Sequence, residues 1–348
     1  MPAYKDKNNT WLARFYYTDY TGKRKQKKKR GFQLKRDAEE YERTFLLQAN
    51  NSPDMLFSDF VELYKTDVYP KLKATTRRST YYVLKNHFIP YFGNMPLNQI
   101  KPNTVLKWHN ELIALGFKDT YLSTLHSKLS AIFNHAVRFY NLPENPCKKA
   151  GSIGSKKTDE PMQFWELEEF NKVIEHVTDI KYKTILITLF YTGIRKGELF
   201  ALTWANIDFD NRIMSIEKTH SRVSGKDVYT SPKTKKSKRK ILLSNQVITQ
   251  LEEYKATLYK PTKSEQVFKW SKRGLEQTIA EACKLSGVKR IRVHDLRHSH
   301  ASLLIHLGFS PLMIADRLGH ESVQTTLNTY SHLYPSEQSK LIDTLNNL

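Results

Sequence analysis

Five short motifs, read toward the C-terminus, contain the residue types needed to break and remake a phosphodiester. They are T-G-I-R-K-G-E with Arg195 and Glu198, P-K-T with Lys233, H-D-L-R-H with His294, Arg297 and His298, L-G-H with His320, and N-T-Y-S-H with Tyr330. A phosphodiester gains negative charge on its non-bridging oxygens as a nucleophile adds, so a catalyst must hold fixed positive donors there. Arginine suits this because its planar fork binds phosphate in bidentate fashion and stays charged at any working pH. Arg195 and Arg297 are the candidates. A phenol has a pKa of about 10, so attack by Tyr330 needs a base or strong local cations. The leaving 5′-oxygen needs a proton, because an alkoxide is a poor leaving group. His294 and Lys233 can divide those two tasks. The product is a covalent phosphotyrosine that preserves the ester bond energy for rejoining. Neither a metal nor a nucleotide cofactor enters this chemistry.

Taken singly, each residue has an ordinary reading. Tyr330 is one of nineteen tyrosines. Arg195 alone reads as a helix-surface arginine. Glu198, three residues on, either orients Arg195 or forms a plain ion pair. Lys233 sits in a lysine run that also reads as a solvated loop. His320 follows Gly319 at an expected helix end, where a histidine favours the helix dipole. His294, His298 and His300 are spaced by four and two, so two of them could share a helical turn and bind zinc. The glutamate of an H-E-x-x-H site is missing, however, and no cysteine is near. The joint occurrence of all five motifs in order outweighs these separate readings.

That order and spacing resemble the tyrosine recombinases, also called the phage-integrase family, over about residues 160–335. The likeness extends to integrases of Gram-positive conjugative transposons and temperate phages. It implies a catalytic set of Arg195, Lys233, His294, Arg297, His320 and Tyr330, supported by Glu198 and His298, with no metal and no cofactor. The choice of Lys233 over Lys235 or Lys236 rests on the family's position in a strand hairpin. The resemblance also implies a multidomain fold, mainly α with small β-sheets. An arm-type DNA-binding domain at 1–50 would combine a small three-stranded sheet with one helix. A helical core-binding domain is expected at 56–147, and an α+β catalytic domain with a C-terminal tail at 160–348. The implied partners are double-stranded DNA at core and arm sites, a homotetramer on DNA, an excisionase and a DNA-bending host protein. The implied task is integration and excision of a mobile element or prophage.

Composition agrees with a polyanionic partner. The formal net charge is +21 and the pI about 9.7, and so basic a chain is expected to meet nucleic acid. Cys147 and Cys283 are the two cysteines and make no metal or redox motif. The polar N-terminus lacks an apolar signal stretch. The longest apolar run, near Ile185–Tyr191, is too short to span a bilayer. A soluble protein of the bacterial cytosol or nucleoid is expected.

The elements that position these residues can be read coarsely. W-L-A-R-F-Y-Y-T at 11–18 predicts a strand, D-Y-T-G at 19–22 a turn, and the basic run at 23–32 a returning strand. Residues 1–36 hold twelve Lys or Arg against two Asp or Glu, a net of +10. A sheet so charged can lie in a major groove, and Arg14, Lys23, Arg24, Lys25, Lys27, Lys28 and Lys29 are its candidate DNA contacts. Ala38, Tyr41, Phe45 and Leu46 predict the apolar face of a following helix. Ser58 is the expected cap of the next helix, and Arg77 and Arg78 on a further one are candidate phosphate contacts. I-P-Y-F-G-N-M-P-L-N-Q-I-K-P reads as a loop with short turns. Long helices follow at about 103–115 and 119–140, and residues 148–161 read as a linker. Helices are expected to carry Arg195, His294 and the segment before Tyr330. Strands near 206–217, 227–231 and 238–243 are expected to form one small sheet with Lys233 at a hairpin tip. Leu341, Leu345 and Leu348 mark an apolar stripe in the tail, suited to a neighbouring protomer or to its own domain.

Two other functions fit parts of the pattern. A DNA-binding regulator could keep the scaffold without the chemistry, but the intact residue set argues against it. A type IB topoisomerase would use the same chemistry to relax supercoils, but a separate basic N-terminal unit favours site-specific integration.

Overall fold

The computed structural model describes residues 4–5, 8, 10–18, 23–48, 53–156, 161–231, 235–269 and 272–334. The chain divides into two compact units, Met1–Glu160 and Pro161–Leu348. The expected turn at 19–22, Lys233, and the tail leucines 341, 345 and 348 lie outside the described residues.

The first unit begins with an antiparallel sheet of β1 (Tyr4–Lys5), β2 (Trp11–Thr18) and β3 (Arg24–Phe32). Helix α1 (Lys35–Gln48) packs Ala38, Tyr41 and Phe45 onto Phe15. Side chains alternate across a strand, so the basic residues divide between two faces. Lys27 lies opposite Phe15 in the β2–β3 register, and the ammonium groups of Lys27 and Lys29 sit over the rings of Phe45 and Tyr41 at 5.3 and 4.4 Å. Arg14 and Lys28 pair across the other face. Like charges directly opposite each other are unfavourable, which fits a surface that waits for a polyanion.

A helical core follows. It comprises α2 (Phe57–Val68), α3 (Ala74–Val83), α4 (Ile89–Phe92), α5 (Pro102–Ala114), α6 (Asp119–Phe139) and α7 (Pro146–Ala150). Phe57, Phe60, Phe88, Phe92, Trp108, Leu129 and Phe133 are fully buried at its centre. Three sequence readings change here. Helix α2 starts at Phe57, so Ser58 lies inside the first turn and does not cap it. The Pro- and Gly-punctuated stretch is partly helical: α3 runs through a π-helical turn at Leu84–Phe88 into α4, with Pro90 in the first turn where its missing N–H costs nothing. The start of the expected linker is the short helix α7, capped by the Asn145 side chain accepting from Cys147 N at 2.9 Å.

The second unit is built on α8 (Leu167–Glu175), α9 (Ile180–Thr192) and α10 (Lys196–Leu199). Strands β4 (Ile207–Asp208), β5 (Ile213–Ile216), β6 (Thr219–Val223), β7 (Lys226–Thr230) and β8 (Arg239–Leu242) come next. They form two sheets, not one. β4, β5 and β8 make a three-stranded antiparallel sheet, while among the described residues β6 and β7 pair with each other alone. Ser224 and Gly225, at φ 51° and 81°, supply the positive-φ turn that a two-residue hairpin demands. The unit closes with α11 (Asn245–Ala256), α12 (Lys272–Ser286), α13 (Leu296–His306), α14 (Pro311–Leu318) and α15 (Val323–Tyr330). Helix α9 is apolar nearly all round and runs through the main core, with Ile185, Leu186, Leu189 and Phe190 buried. A smaller cluster joins Ala301, Ile305, Ile314, Leu318 and Tyr330. No helix of the described residues is long and apolar enough to cross a membrane.

Candidate active site

Arg195, Arg297, His320 and Tyr330 meet at the C-terminal end of α14. This helix is started by Ser310, whose hydroxyl accepts from Met313 N, with Pro311 at its first position. It is stopped by Gly319 in the left-handed region at φ 67°. The last carbonyls of a helix lack intrahelical partners and carry its negative dipole end. Here arginines supply the missing donors. Arg297 NH2 donates to Leu318 O at 2.7 Å, and Arg195 NH2 approaches Gly319 O at 3.5 Å. Arg297 NH1 donates to Gly193 O at 2.8 Å, which ties in the C-terminus of α9. Gly193 is itself left-handed, and a Cβ there would meet the His300 ring at 2.5 Å.

Arg195 does not ride on a helix, as the sequence suggests, but stands at the N-cap of α10. Its backbone N–H donates to Glu198 Oε2 at 3.0 Å and its NH1 to Glu198 Oε1 at 2.8 Å. Glu198 is buried and also accepts from Arg239 NH2 at 3.0 Å. Burial pushes the Glu198 carboxyl up, but Arg239 and then Arg195 outweigh it, and the pKa falls below the ordinary carboxylate value. Arg195 keeps an exposed edge, while Arg297 is almost fully buried. Burial, followed by the charge of Arg195, lowers Arg297 to about 9, so it remains a cation at neutral pH.

The histidines take separate places. His294 lies in a 3-10 turn, Val293–Asp295, rather than on a helix. The turn is pinned by Asp295, which accepts from Arg292 N at 2.9 Å and from Arg292 NH2 at 2.8 Å. The His294 residue is exposed as a whole, but surrounding atoms crowd its ring, which lies 5.8 Å between centroids from that of His298; this partial desolvation and then the charge of Arg297 lower its pKa. His298, on α13, pairs through Nδ1 with the Tyr330 hydroxyl at 2.9 Å. His320 pairs through Nδ1 with the Thr326 hydroxyl at 2.8 Å. Burial lowers both His298 and His320 to about 4, with His294 and Arg297 respectively as the next cause. Both rings are therefore neutral at pH 7. His300 turns away from them and accepts from Arg317 Nε at 3.0 Å. No trio of histidines forms, and among the described residues no group of three or more His, Cys, Asp or Glu could hold a metal.

Tyr330 ends α15 and is 1% exposed. Burial raises its pKa to about 12 against the opposing pull of Arg297. Sequence reasoning gave the phenol's proton to His294 or Lys233, whereas the group in contact with it is His298. It also passed over Arg239, Arg317 and Thr326. Arg239 is hidden in a lysine run, and its burial is visible only once β8 pairs with β5. Arg77 is exposed, with its Nε on Leu72 O at 2.8 Å, and Arg78 lies over the Tyr82 ring at 5.7 Å.

Known proteins share this organisation. The family model "Phage integrase family" matches residues 161–337, "Phage integrase, N-terminal SAM-like domain" matches 56–113, and "Arm DNA-binding domain" matches 2–49. The chain is 30% identical over 322 residues to the ICEBs1 integrase of Bacillus subtilis strain 168, covering 86% of this chain and 85% of that one. It is 24% identical over 351 residues to a XerC-like tyrosine recombinase of Caldanaerobacter subterraneus, covering 90% of each. Among solved structures, the Tn1549 transposon integrase in complex with transposon right end DNA superposes with a TM-score of 0.70 at 17% identity, over 84% of this chain and 99% of that one. A lambda integrase dimer bound to a COC′ core site gives 0.60 at 18%, over 97% and 95%. Fold and matches together define a tyrosine-type site-specific DNA recombinase. The chain belongs to the phage integrase family. Its activity is integration and excision by DNA cleavage and rejoining through a covalent tyrosine intermediate.

Proposed function

We propose that Tyr330 is the nucleophile and that Arg195 and Arg297 bind the non-bridging oxygens of the scissile phosphate. The observation that carries this is the meeting of both arginines, His320 and the Tyr330 element at one helix end, α14. The Tyr330 oxygen attacks phosphorus and its proton passes to the neutral His298. The bond from phosphorus to the 5′-oxygen breaks, and Lys233 or His294 returns a proton to that oxygen. Glu198 orients Arg195, and His320 adds a further donor to the developing charge. Rejoining is the same path reversed.

Residues 1–50 read arm sites, with Arg14, Arg24 and Lys28 as phosphate contacts on the outer sheet face. Lys23, just before β3, joins them, while Lys25, Lys27 and Lys29, on the face that carries Phe15 and Tyr17, contribute field rather than contact. Residues 56–147 grip the core site with help from Arg77 and Arg78, and residues 160–348 cut it. Strand exchange joins two duplexes, so four protomers assemble on DNA, with an excisionase and a DNA-bending protein setting direction. The enzyme works in the bacterial cytosol. The test is a nicked duplex whose cleaved end diffuses away. A covalent band should form, and peptide mass spectrometry should place the nucleotide on Tyr330. Attachment to another tyrosine would overturn the assignment.

A further inference from the structure

Three consecutive carbonyl oxygens end α14, and each faces a different arginine. Leu318 O and Gly319 O face Arg297 and Arg195 at 2.7 and 3.5 Å. The first of the three, Arg317 O, accepts from Arg239 Nε at 2.8 Å. Arg239 belongs to none of the five motifs. We propose that Arg239 is a positioning residue for phosphodiester cleavage: it clamps Glu198, and through it Arg195, to the end of α14. The proposal rests on the reading of Arg195 as a phosphate ligand.

The hydrogen bonds of Arg239 separate it from a group that touches DNA. Its Nε holds Arg317 O, its NH1 donates to Ser237 O at 3.2 Å, and its NH2 donates to Glu198 Oε2 at 3.0 Å. Nε, NH1 and NH2 thus all hold protein oxygens, and the side chain is 7% exposed against 36% for Arg195; Arg297 is as buried, but among the described residues it holds protein through NH1 and NH2 alone, which leaves its Nε for an incoming oxygen. Glu198 Oε2 is shared between Arg239 NH2 and the backbone N–H of Arg195, while Oε1 takes Arg195 NH1. A shift of Arg239 therefore moves the carboxylate that fixes both the backbone and the guanidinium of Arg195. The clamp also explains Gly319, where a Cβ would stand 2.9 Å from Arg239 NH1 and 3.0 Å from its Cδ. At φ 67° that position already favours glycine, and the approach of Arg239 leaves no room for a side chain. One carboxylate among Arg195, Arg239 and Arg297 leaves the cluster positive, as an incoming phosphate requires.

A double-mutant cycle on the full-length protein tests this. The variants are Arg239→Met, Arg195→Ala and the pair, read by single-turnover cleavage of the nicked duplex, with DNA affinity and thermal melting measured alongside. Arg239→Met should slow cleavage on the order of 10–100-fold, by analogy with the loss on removing the partner that orients a metal ligand, with DNA affinity little changed. In the Arg195→Ala background the same change should cost almost nothing, because the residue it positions is gone. Equal fold-losses in both backgrounds would mean a general structural role and overturn the proposal, as would a normal rate in Arg239→Met. If Arg239→Met does not fold, Arg239→Lys, which keeps the charge and loses the fork, carries the same cycle. A normal rate in Arg195→Ala would instead sink the assignment of Arg195 itself, and the clamp with it. The two failures are therefore distinct.

Discussion

Replacing Tyr330 with phenylalanine should remove all covalent adduct while leaving the fold nearly intact, and the structure sets the sizes. The Tyr330 ring is packed among Ala301, Ile305, Ile314 and Leu318, and Tyr330→Phe keeps that packing. What is lost is the hydroxyl and its 2.9 Å bond to His298 Nδ1. A buried group left without its partner costs about 1–3 kcal/mol, and His298 is only partly buried, so about 1 kcal/mol is expected. For a unit the size of residues 161–348, that lowers the melting temperature by roughly 2–4 °C. Tyr330→Ala also empties the cluster and should cost about 3–5 kcal/mol. The assay pairs the nicked-duplex adduct gel with thermal melting of the DNA-free protein. Both variants should give no adduct, and only the alanine variant should melt much earlier. Near-normal adduct in Tyr330→Phe would refute the nucleophile, and a phenylalanine melt as low as that of alanine would refute the energetic reasoning.

Four further outcomes are expected. Arg297→Ala should slow cleavage by about 10²–10³-fold, the cost of one lost donor at a developing oxyanion, and Arg297→Lys should recover little because an ammonium lacks the planar fork whose two arms hold Gly193 O and Leu318 O; single-turnover rates decide, and a lysine variant near the wild-type rate would contradict the fork. Gly193→Ala should destabilise by about 2–5 kcal/mol, summing the left-handed backbone cost and overpacking against His300 and Leu318; urea titration measures it, and an unchanged midpoint would count against the close approach. Burial holds His298 and His320 at about 4 and His300 at about 3, so the folded state binds fewer protons than the unfolded one below pH 6.5. Stability should be complete above that pH and fall toward pH 4, with the fully buried His300 alone removing about 1.4 kcal/mol per pH unit; a flat melting temperature between pH 7 and 5 would exclude this linkage. Deleting residues 1–50 should spare cleavage at core sites and abolish integration that depends on arm sites; full integration by the shortened protein would remove their role as a reader.

The sequence by itself determined which chemistry is possible. Residue type carries reactivity, so a phenol, two arginines and several histidines in fixed order already specify phosphodiester cleavage. Local rules also placed much of the frame. The helix end expected at Gly319 closes α14, the apolar run at 185–191 lies in α9, and the basic strand returns along β2. Local rules misplaced Ser58, and they read the Pro90 stretch as a loop because Pro90 and Gly93 count as breakers, whereas Pro90 falls in the first turn of α4, where it is tolerated. Tertiary structure alone decided who meets whom. Arg195 finds Gly319 across 124 positions, Arg297 finds Gly193 across 104, and Arg239 finds Glu198 across 41. Such pairings follow from how helices and strands pack around a common core, and no periodicity within one element encodes them. The same holds for the ring that meets the Tyr330 hydroxyl. His294 and His298 look equivalent in H-D-L-R-H, and only the docking of α15 against α13 brings His298, not His294, to the phenol.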